Sequence, residues 1–300
     1  YFILKILKNL DLKSINKAYF IAEIGSNFDR SLNKAKDLIS LAKESGADAV
    51  KFQHYSADSL VSDLGFKNLK NKSHQTSWSD SVYETYKKAE LNVIWTQELS
   101  EYSNNEGIDF MTSPYSFELC DMTADYVSAF KIGSGDISWT DFIQYVSLKN
   151  KPLFIATGAS SIDDVTRAVE VLKSNNQFVL MQCNTNYENI LTNLKYQNIS
   201  VLNTYKNLFG RDIHIGLSDH TKSHTSVLCA ISLGAKFVEK HFTDNNNNKG
   251  PDHLFALDPN AWKEMISLSR EVEEVLGTSI KIIEENEREA YTVQRRSICT

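Results

Sequence analysis

Two histidines, two lysines and a glutamate stand where side chains of these types could work together. His220 closes the run Ile213-His-Ile-Gly-Leu-Ser-Asp-His-Thr221, and His241 closes Phe237-Val-Glu-Lys-His241. Each follows a short apolar run that reads as a buried strand, and the stretch 226–233 between them reads as a helix. Neighbouring parallel strands joined in this way end on the same side, so both imidazoles could bind one metal ion. A lone histidine at a strand end is more often an unremarked polar group, and it is the repetition in equivalent places that favours chemistry. Glu23 ends the run Phe20-Ile-Ala, where a carboxylate must be paired, metal-associated or partly protonated. Lys51 and Lys131 end similar runs, and leaving a buried ammonium unpaired is costly. With the amides of the turn Gly133-Ser134-Gly135 they would suit a phosphate or a carboxylate.

These residues need elements that aim them at one place. Strand-like runs lie at Tyr19–Glu23, Ala49–Gln53, Asp109–Thr112, Ser128–Ile132, Leu153–Thr157, Phe178–Cys183, Ile213–Leu217 and Lys236–Lys240. Amphipathic stretches separate them. In Leu32–Glu44 one face carries Ala35, Leu38, Ile39 and Ala42, and Ser161 with Asp164 forms a capping-box pattern before Ile162, Val165, Val169 and Leu172. The segments beginning at Ala42 and Ala230 echo each other as helix end, Gly-Ala, then a strand ending in a polar group. Eight such units predict a (β/α)8 TIM barrel with its active face at the strand C-termini. A doubly wound sheet is the alternative, but no Gly-x-Gly-x-x-Gly opens a helix after the first strand. The stretch His54–Trp78 reads as a loop over the barrel mouth, and Asn245–Asn248 as a mobile loop after the eighth strand.

Composition bounds the remaining possibilities. The 300 residues are 42% hydrophobic and 23% charged with a net charge of −6, which is neither disordered nor membrane-like and offers no basic stripe for nucleic acid. The opening Tyr1–Leu7 is apolar but interrupted by lysine, too short to span a bilayer and without the flanks of a signal peptide. The expectation is a cytosolic protein. Cys120, Cys183, Cys229 and Cys299 show no Cys-x-x-Cys spacing and lie in mostly apolar surroundings, which points to buried free thiols.

Six segments in register carry a resemblance. Phe20-Ile-Ala-Glu-Ile-Gly-Ser-Asn27, Gly46-Ala-Asp-Ala-Val-Lys-Phe-Gln53, Phe130-Lys-Ile-Gly-Ser-Gly-Asp136, Gly216-Leu-Ser-Asp-His-Thr221, Val238-Glu-Lys-His-Phe-Thr243 and Gly250-Pro-Asp252 resemble the sialic acid (N-acetylneuraminate) synthase family, which includes legionaminic and pseudaminic acid synthases. The resemblance implies condensation of phosphoenolpyruvate with an open-chain N-acyl hexosamine to give a 2-keto-3-deoxy acid and phosphate. It also implies roles. His220 and His241 would be ligands of a divalent ion, Mn2+ first, with Mg2+ or Co2+ as alternatives. Lys51, Lys131, Ser134, Thr185 and Ser218 would anchor phosphoenolpyruvate, and Gln53, Asp136, Tyr187 and Asp252 would meet the sugar. Glu23 would hold or deprotonate water or a substrate hydroxyl.

The chain departs from the family pattern in places. Phe28 stands where many members have His, Ala156 where a phosphate-binding Ser is common, Thr185 where Asn is usual, and Asp136 where many sialic acid synthases have Glu. The shorter acid makes a 6-deoxy diacetamido sugar a candidate acceptor beside N-acetylmannosamine. Residues 1–280 would form the catalytic barrel, and residues 281–300 would lead toward an absent C-terminal antifreeze-like domain of the kind that completes the partner's site in a homodimer. Two other readings fit parts of the pattern: a metal-dependent aldolase or isomerase barrel that does not use phosphoenolpyruvate, and a non-catalytic barrel that binds a sugar phosphate.

Overall fold

The computed structural model describes residues 10–69, 75, 78, 80–172, 177–187 and 191–298. The strands are β1 (Tyr19–Glu23), β2 (Ala49–His54), β3 (Asp109–Pro114), β4 (Ala129–Ile132), β5 (Leu153–Ala156), β6 (Phe178–Cys183), β7 (His214–Asp219) and β8 (Phe237–His241). Each pairs parallel with the next and β8 closes on β1, which gives the eight-stranded barrel that the alternation of elements predicts. Helix α1 (Leu32–Glu44) follows β1, and α2 (Ala57–Leu60), α3 (Asp63–Asn68), α4 (Val82–Ala89) and α5 (Thr96–Glu106) lie between β2 and β3. Then α6 (Phe117–Thr123), α7 (Thr140–Ser147), α8 (Ile162–Glu170), α9 (Val201–Phe209), α10 (Thr225–Ser232) and α11 (Pro259–Leu276) follow β3 to β8 in turn, and α12 (Arg288–Val293) lies in an exposed C-terminal segment.

The strands are buried on both faces, and this is why they read as continuous apolar runs rather than alternating ones. Their outward residues, among them Phe20, Val50, Phe110, Phe130, Ile155 and Val238, pack against the helices in the main core. The inward residues form a separate cluster, Tyr19, Ile21, Ala49, Met111, Ala129, Phe154, Val179, Met181 and Phe237, which Leu10 and Leu12 from the segment before β1 extend. Two residues further along each strand, the same inward face turns polar with Glu23, Lys51, Ser113, Lys131, Ser218 and Glu239. An apolar floor therefore lies beneath a polar layer. Ala156 belongs to that layer by position and is apolar.

Local signals hold where they are strong. Ser161 caps α8 in a reciprocal box with Asp164, and α1 spans the expected residues with Ala35, Leu38, Ile39 and Ala42 buried. His54 is fully buried and bridges Thr112 Oγ1 at 2.6 Å and Thr96 Oγ1 at 2.8 Å, and burial drops its pKa to about 3, so it pins β2 to β3 and α5 as a neutral ring.

Three expectations need correction. The stretch His54–Trp78 is not a plain loop, since α2 and α3 occur within it, each too short for an amphipathic pattern to register; part of the stretch lies outside the described residues. The run Asn245–Asn248 is held by its own side chains rather than left free: Asn246 Nδ2 donates to the carbonyls of His253 at 2.8 Å and Ala256 at 2.7 Å. Cys229 is exposed, on the outer face of α10, whereas Cys120 and Cys183 are buried free thiols. Cys299 and the opening Tyr1–Leu7 lie outside the described residues. Among the described residues, no helix is long and apolar enough to cross a membrane.

Candidate active site

The polar layer is a connected set of buried charges. Glu23, at the end of β1, pairs with Lys51 from β2 and accepts a hydrogen bond from Gln53 Nε2 at 2.7 Å. Lys51 Nζ also donates to Ser113 Oγ on β3 at 3.1 Å. Lys131, from β4, reaches Glu239 on β8 with Nζ to Oε1 at 2.6 Å, and Ser218 on β7 donates to the same oxygen at 3.1 Å. Both lysines thus have carboxylate partners, which satisfies the requirement placed on buried ammoniums.

The two carboxylates sit in different fields. Burial drives Glu23 above the ordinary glutamate range, and the Lys51 ammonium only partly offsets it. Burial would also raise Glu239, but the ammoniums of Lys131 and Lys51 outweigh it and hold its pKa down at about 2. Glu239 is therefore a fixed anion, and Glu23 is the carboxyl of the two that can take up a proton nearer neutrality.

Above this layer stand the imidazoles. His241 is the last residue of β8, and His220 follows β7 directly; their ring centroids are 5.5 Å apart. His220 Nδ1 donates to the carbonyl of Asn184 at 3.0 Å, which fixes the tautomer and leaves Nε2 as a lone-pair donor. His241 Nδ1 is buried without a hydrogen-bond partner, and burial pushes the pKa of His241 down to about 4, so its ring is neutral at physiological pH. Phe255 lies edge-on to His241 at 4.7 Å and Tyr187 against His220 at 4.5 Å, walling the pair with aromatic rings. Among the described residues there is no group of three or more His, Cys, Asp or Glu arranged to hold a metal. Two adjacent imidazoles, one with an orphaned buried nitrogen, fit a divalent ion that takes its other ligands from water or a substrate oxygen.

The mouth itself is a cavity of about 420 Å³ lined by Gln53, Ser134, Asp136, Thr185, Tyr187, His241 and Asp252 together with Tyr55 and Tyr115. Ser134 accepts from the Gly158 amide at 3.0 Å, which ties the turn after β4 to the turn after β5. Asp136 loses hydration there, and its pKa rises to about 6. Asp252, in the loop after β8, accepts from the amide and hydroxyl of Ser26 at 2.9 and 2.7 Å. This contact needs Gly25, whose φ is +53° and where a Cβ would lie 2.5 Å from Asp252 Oδ2.

All twelve residues singled out from the sequence meet at this end of the barrel: Glu23, Lys51, Lys131 and Ser218 in the buried layer, His220 and His241 above it, and Gln53, Ser134, Asp136, Thr185, Tyr187 and Asp252 around the cavity. Sequence reading missed Glu239 and Phe255. The first had a usable signal, because strand periodicity places Glu239 on the same face as His241, two residues on. Phe255 had none, since its approach to the imidazoles depends on how the loop after β8 folds back.

Comparison with known proteins agrees with the geometry. A model of the NeuB family matches residues 38–281. The chain is 35% identical over 289 residues to the N,N'-diacetyllegionaminic acid synthase of Legionella pneumophila, covering 93% of this chain and 79% of that protein. It is 31% identical over 265 residues to the human N-acetylneuraminate-9-phosphate synthase, covering 88% and 72%. The crystal structure of the N-acetylneuraminic acid synthetase of Leptospira borgpetersenii superposes with a TM-score of 0.81 at 24% identity, covering 96% and 98%, a likeness of fold.

Proposed function

The chain belongs to the NeuB family, and from that membership and the geometry of the barrel mouth we propose that it condenses phosphoenolpyruvate with an N-acyl hexosamine to form a sialic-acid-like 2-keto-3-deoxy acid and inorganic phosphate. The observation that carries this reading is the meeting of two buried, carboxylate-paired lysines and two adjacent imidazoles at one end of the barrel, beside the cavity that His241 lines. Lys51, Lys131, Ser134, Thr185 and Ser218 supply ammonium and hydroxyl donors for the carboxylate and phosphate of phosphoenolpyruvate. Gln53, Asp136, Tyr187 and Asp252 hold the acceptor, with its aldehyde toward the imidazoles. His220 and His241 would hold the divalent ion, Mn2+ or else Mg2+ or Co2+, which when bound polarises the aldehyde oxygen.

In the reaction, carbon 3 of phosphoenolpyruvate forms a bond to the aldehyde carbon, and positive charge develops at carbon 2. Water adds at carbon 2 with Glu23 as acceptor of its proton, a proton is taken up by the alkoxide left at the former aldehyde oxygen, and cleavage of the C–O bond releases phosphate. The likeness to a diacetyllegionaminic acid synthase, with the short acid Asp136 at the sugar end, supports a 6-deoxy diacetamido hexose as acceptor ahead of N-acetylmannosamine. The test is a panel of N-acyl hexosamines with phosphoenolpyruvate and Mn2+ in oxygen-18 water. Phosphate release should require both substrates, and the label should enter the keto acid. Label in the phosphate, or release without acceptor, would overturn the reading.

A further inference from the structure

Glu239 has no part in the chemistry just described, yet it is a buried charge that joins three strands of the barrel. It projects inward from β8, 5% exposed, and Lys131 comes to it from β4, four strands away in a ring of eight and so on the opposite wall. One oxygen accepts from Lys131 at 2.6 Å and from Ser218 at 3.1 Å, and the other lies 3.9 Å from Lys51 Nζ. A single carboxylate thus touches or adjoins three of the groups assigned to phosphoenolpyruvate, on three different strands. Ser218 and Glu239 are register partners on adjacent strands, so backbone pairing fixes the distance between them.

We propose that Glu239 is a positioning residue that orients Lys131 for phosphoenolpyruvate; this rests on the assignment of Lys131 to that substrate. An ammonium on a four-carbon stem is a loosely aimed charge unless something fixes it. Glu239 takes one of the three ammonium protons of Lys131 and leaves two for a ligand above. It also separates two cations that would otherwise share a dry shaft with Glu23 as their nearest counter-charge. The place of Glu239 fits this role. It lies two residues before His241 on the inward face, one layer deeper than the imidazoles and just above the apolar floor, so it supports the lysines from below and leaves the cavity open.

The experiment uses the full chain with Mn2+ and compares wild type with Glu239→Gln, Lys131→Met and the double variant. Phosphoenolpyruvate binding is measured by calorimetry without acceptor, and KM for each substrate is measured separately. Glu239→Gln should weaken phosphoenolpyruvate at least tenfold and raise its KM to match, while KM for the acceptor stays within about twofold. The double variant should bind no more weakly than Lys131→Met alone, because a residue that acts through Lys131 has nothing left to orient. Should Glu239→Gln fail to fold, the pair Lys131→Met and double variant still decides the matter.

Unchanged or tighter phosphoenolpyruvate binding in Glu239→Gln would overturn the proposal, since tighter binding would mean that Glu239 competes with the anion rather than preparing its site. Further losses that add in the double variant would overturn it too. If wild type neither binds phosphoenolpyruvate nor releases phosphate with any acceptor, the assignment of function itself is what fails.

Discussion

The rings of His220 and His241 face one another 5.5 Å apart at an interplanar angle of 44°, brought together by adjacent strands that end at the same level of the barrel. If they are the ligands of a divalent ion, each should be needed for it. His220→Ala or His241→Ala should weaken Mn2+ binding about a hundredfold or more, beyond the 10–100-fold typical of an outer-shell partner, and should abolish turnover. Titration of Mn2+ followed by electron paramagnetic resonance reads the affinity directly. Wild-type affinity in either variant would remove that histidine from the metal site.

Asp136 makes stability depend on pH in a definite direction. Its folded pKa is about 6 against an ordinary 3.8, because burial disfavours the charge. A carboxyl raised in this way is harmless below the unfolded pKa and destabilises the fold increasingly as pH rises through the window from about 4 to about 6. With roughly 1.4 kcal/mol per pKa unit, Asp136→Asn should be more stable than wild type by about 3 kcal/mol at pH 7 and no more stable at pH 3.5. Urea unfolding at the two pH values measures this, and a difference that does not change with pH would refute it.

Lys240 and Asp219 form a buried pair outside the barrel lumen, both 1% exposed, with Nζ to Oδ2 at 2.7 Å. Lys240 also donates to the carbonyls of Thr221 at 2.5 Å and Ser223 at 3.3 Å, the loop that carries His220. Lys240→Met leaves Asp219 uncompensated and should cost about 3–5 kcal/mol in denaturant unfolding, as expected for a broken buried pair. Adding Asp219→Asn should recover part of that loss. A loss under about 1 kcal/mol would show that the pair is not held as described.

Gly158 has no room for a side chain. A Cβ there would lie 2.4 Å from Thr185 Cγ2, 2.9 Å from Ser134 Oγ and 3.1 Å from Cys183 Sγ. Gly158→Ala must therefore push Ser134 and Thr185 apart, and KM for phosphoenolpyruvate should rise about tenfold or more, since small misplacements of positioning groups have large effects on rate. Unchanged steady-state constants would remove Ser134 and Thr185 from the anchoring set.

The architecture was legible because parallel strands buried on both faces must be apolar throughout, and helices covering them must be amphipathic; β1, β6 and α1 came out with their boundaries intact. Glu23, Lys51, Lys131, His220 and His241 were legible for a related reason, as polar groups at the ends of runs that have no use for polarity. What escaped detection depended on the alternation within a strand or on loop closure. Glu239 sits two residues before His241, inside the strand rather than at its end. Helices α2 and α3 are shorter than the pattern that would announce them. The asparagines of 245–248 look like a tether of loose chain, and only the folded loop reveals that Asn246 grips its far side.

The apolar floor formed by Tyr19, Ile21, Met111, Phe154 and Phe237, with Leu10 and Leu12 beneath, shuts the barrel from below. Among the described residues the floor leaves the strand C-terminal end as the way in, so whatever rests among the lysines would be roofed over by whatever rests against the imidazoles. Two reactants stacked in such a blind shaft must queue: the deeper one enters first and leaves last, and an excess of the upper one locks its companion out.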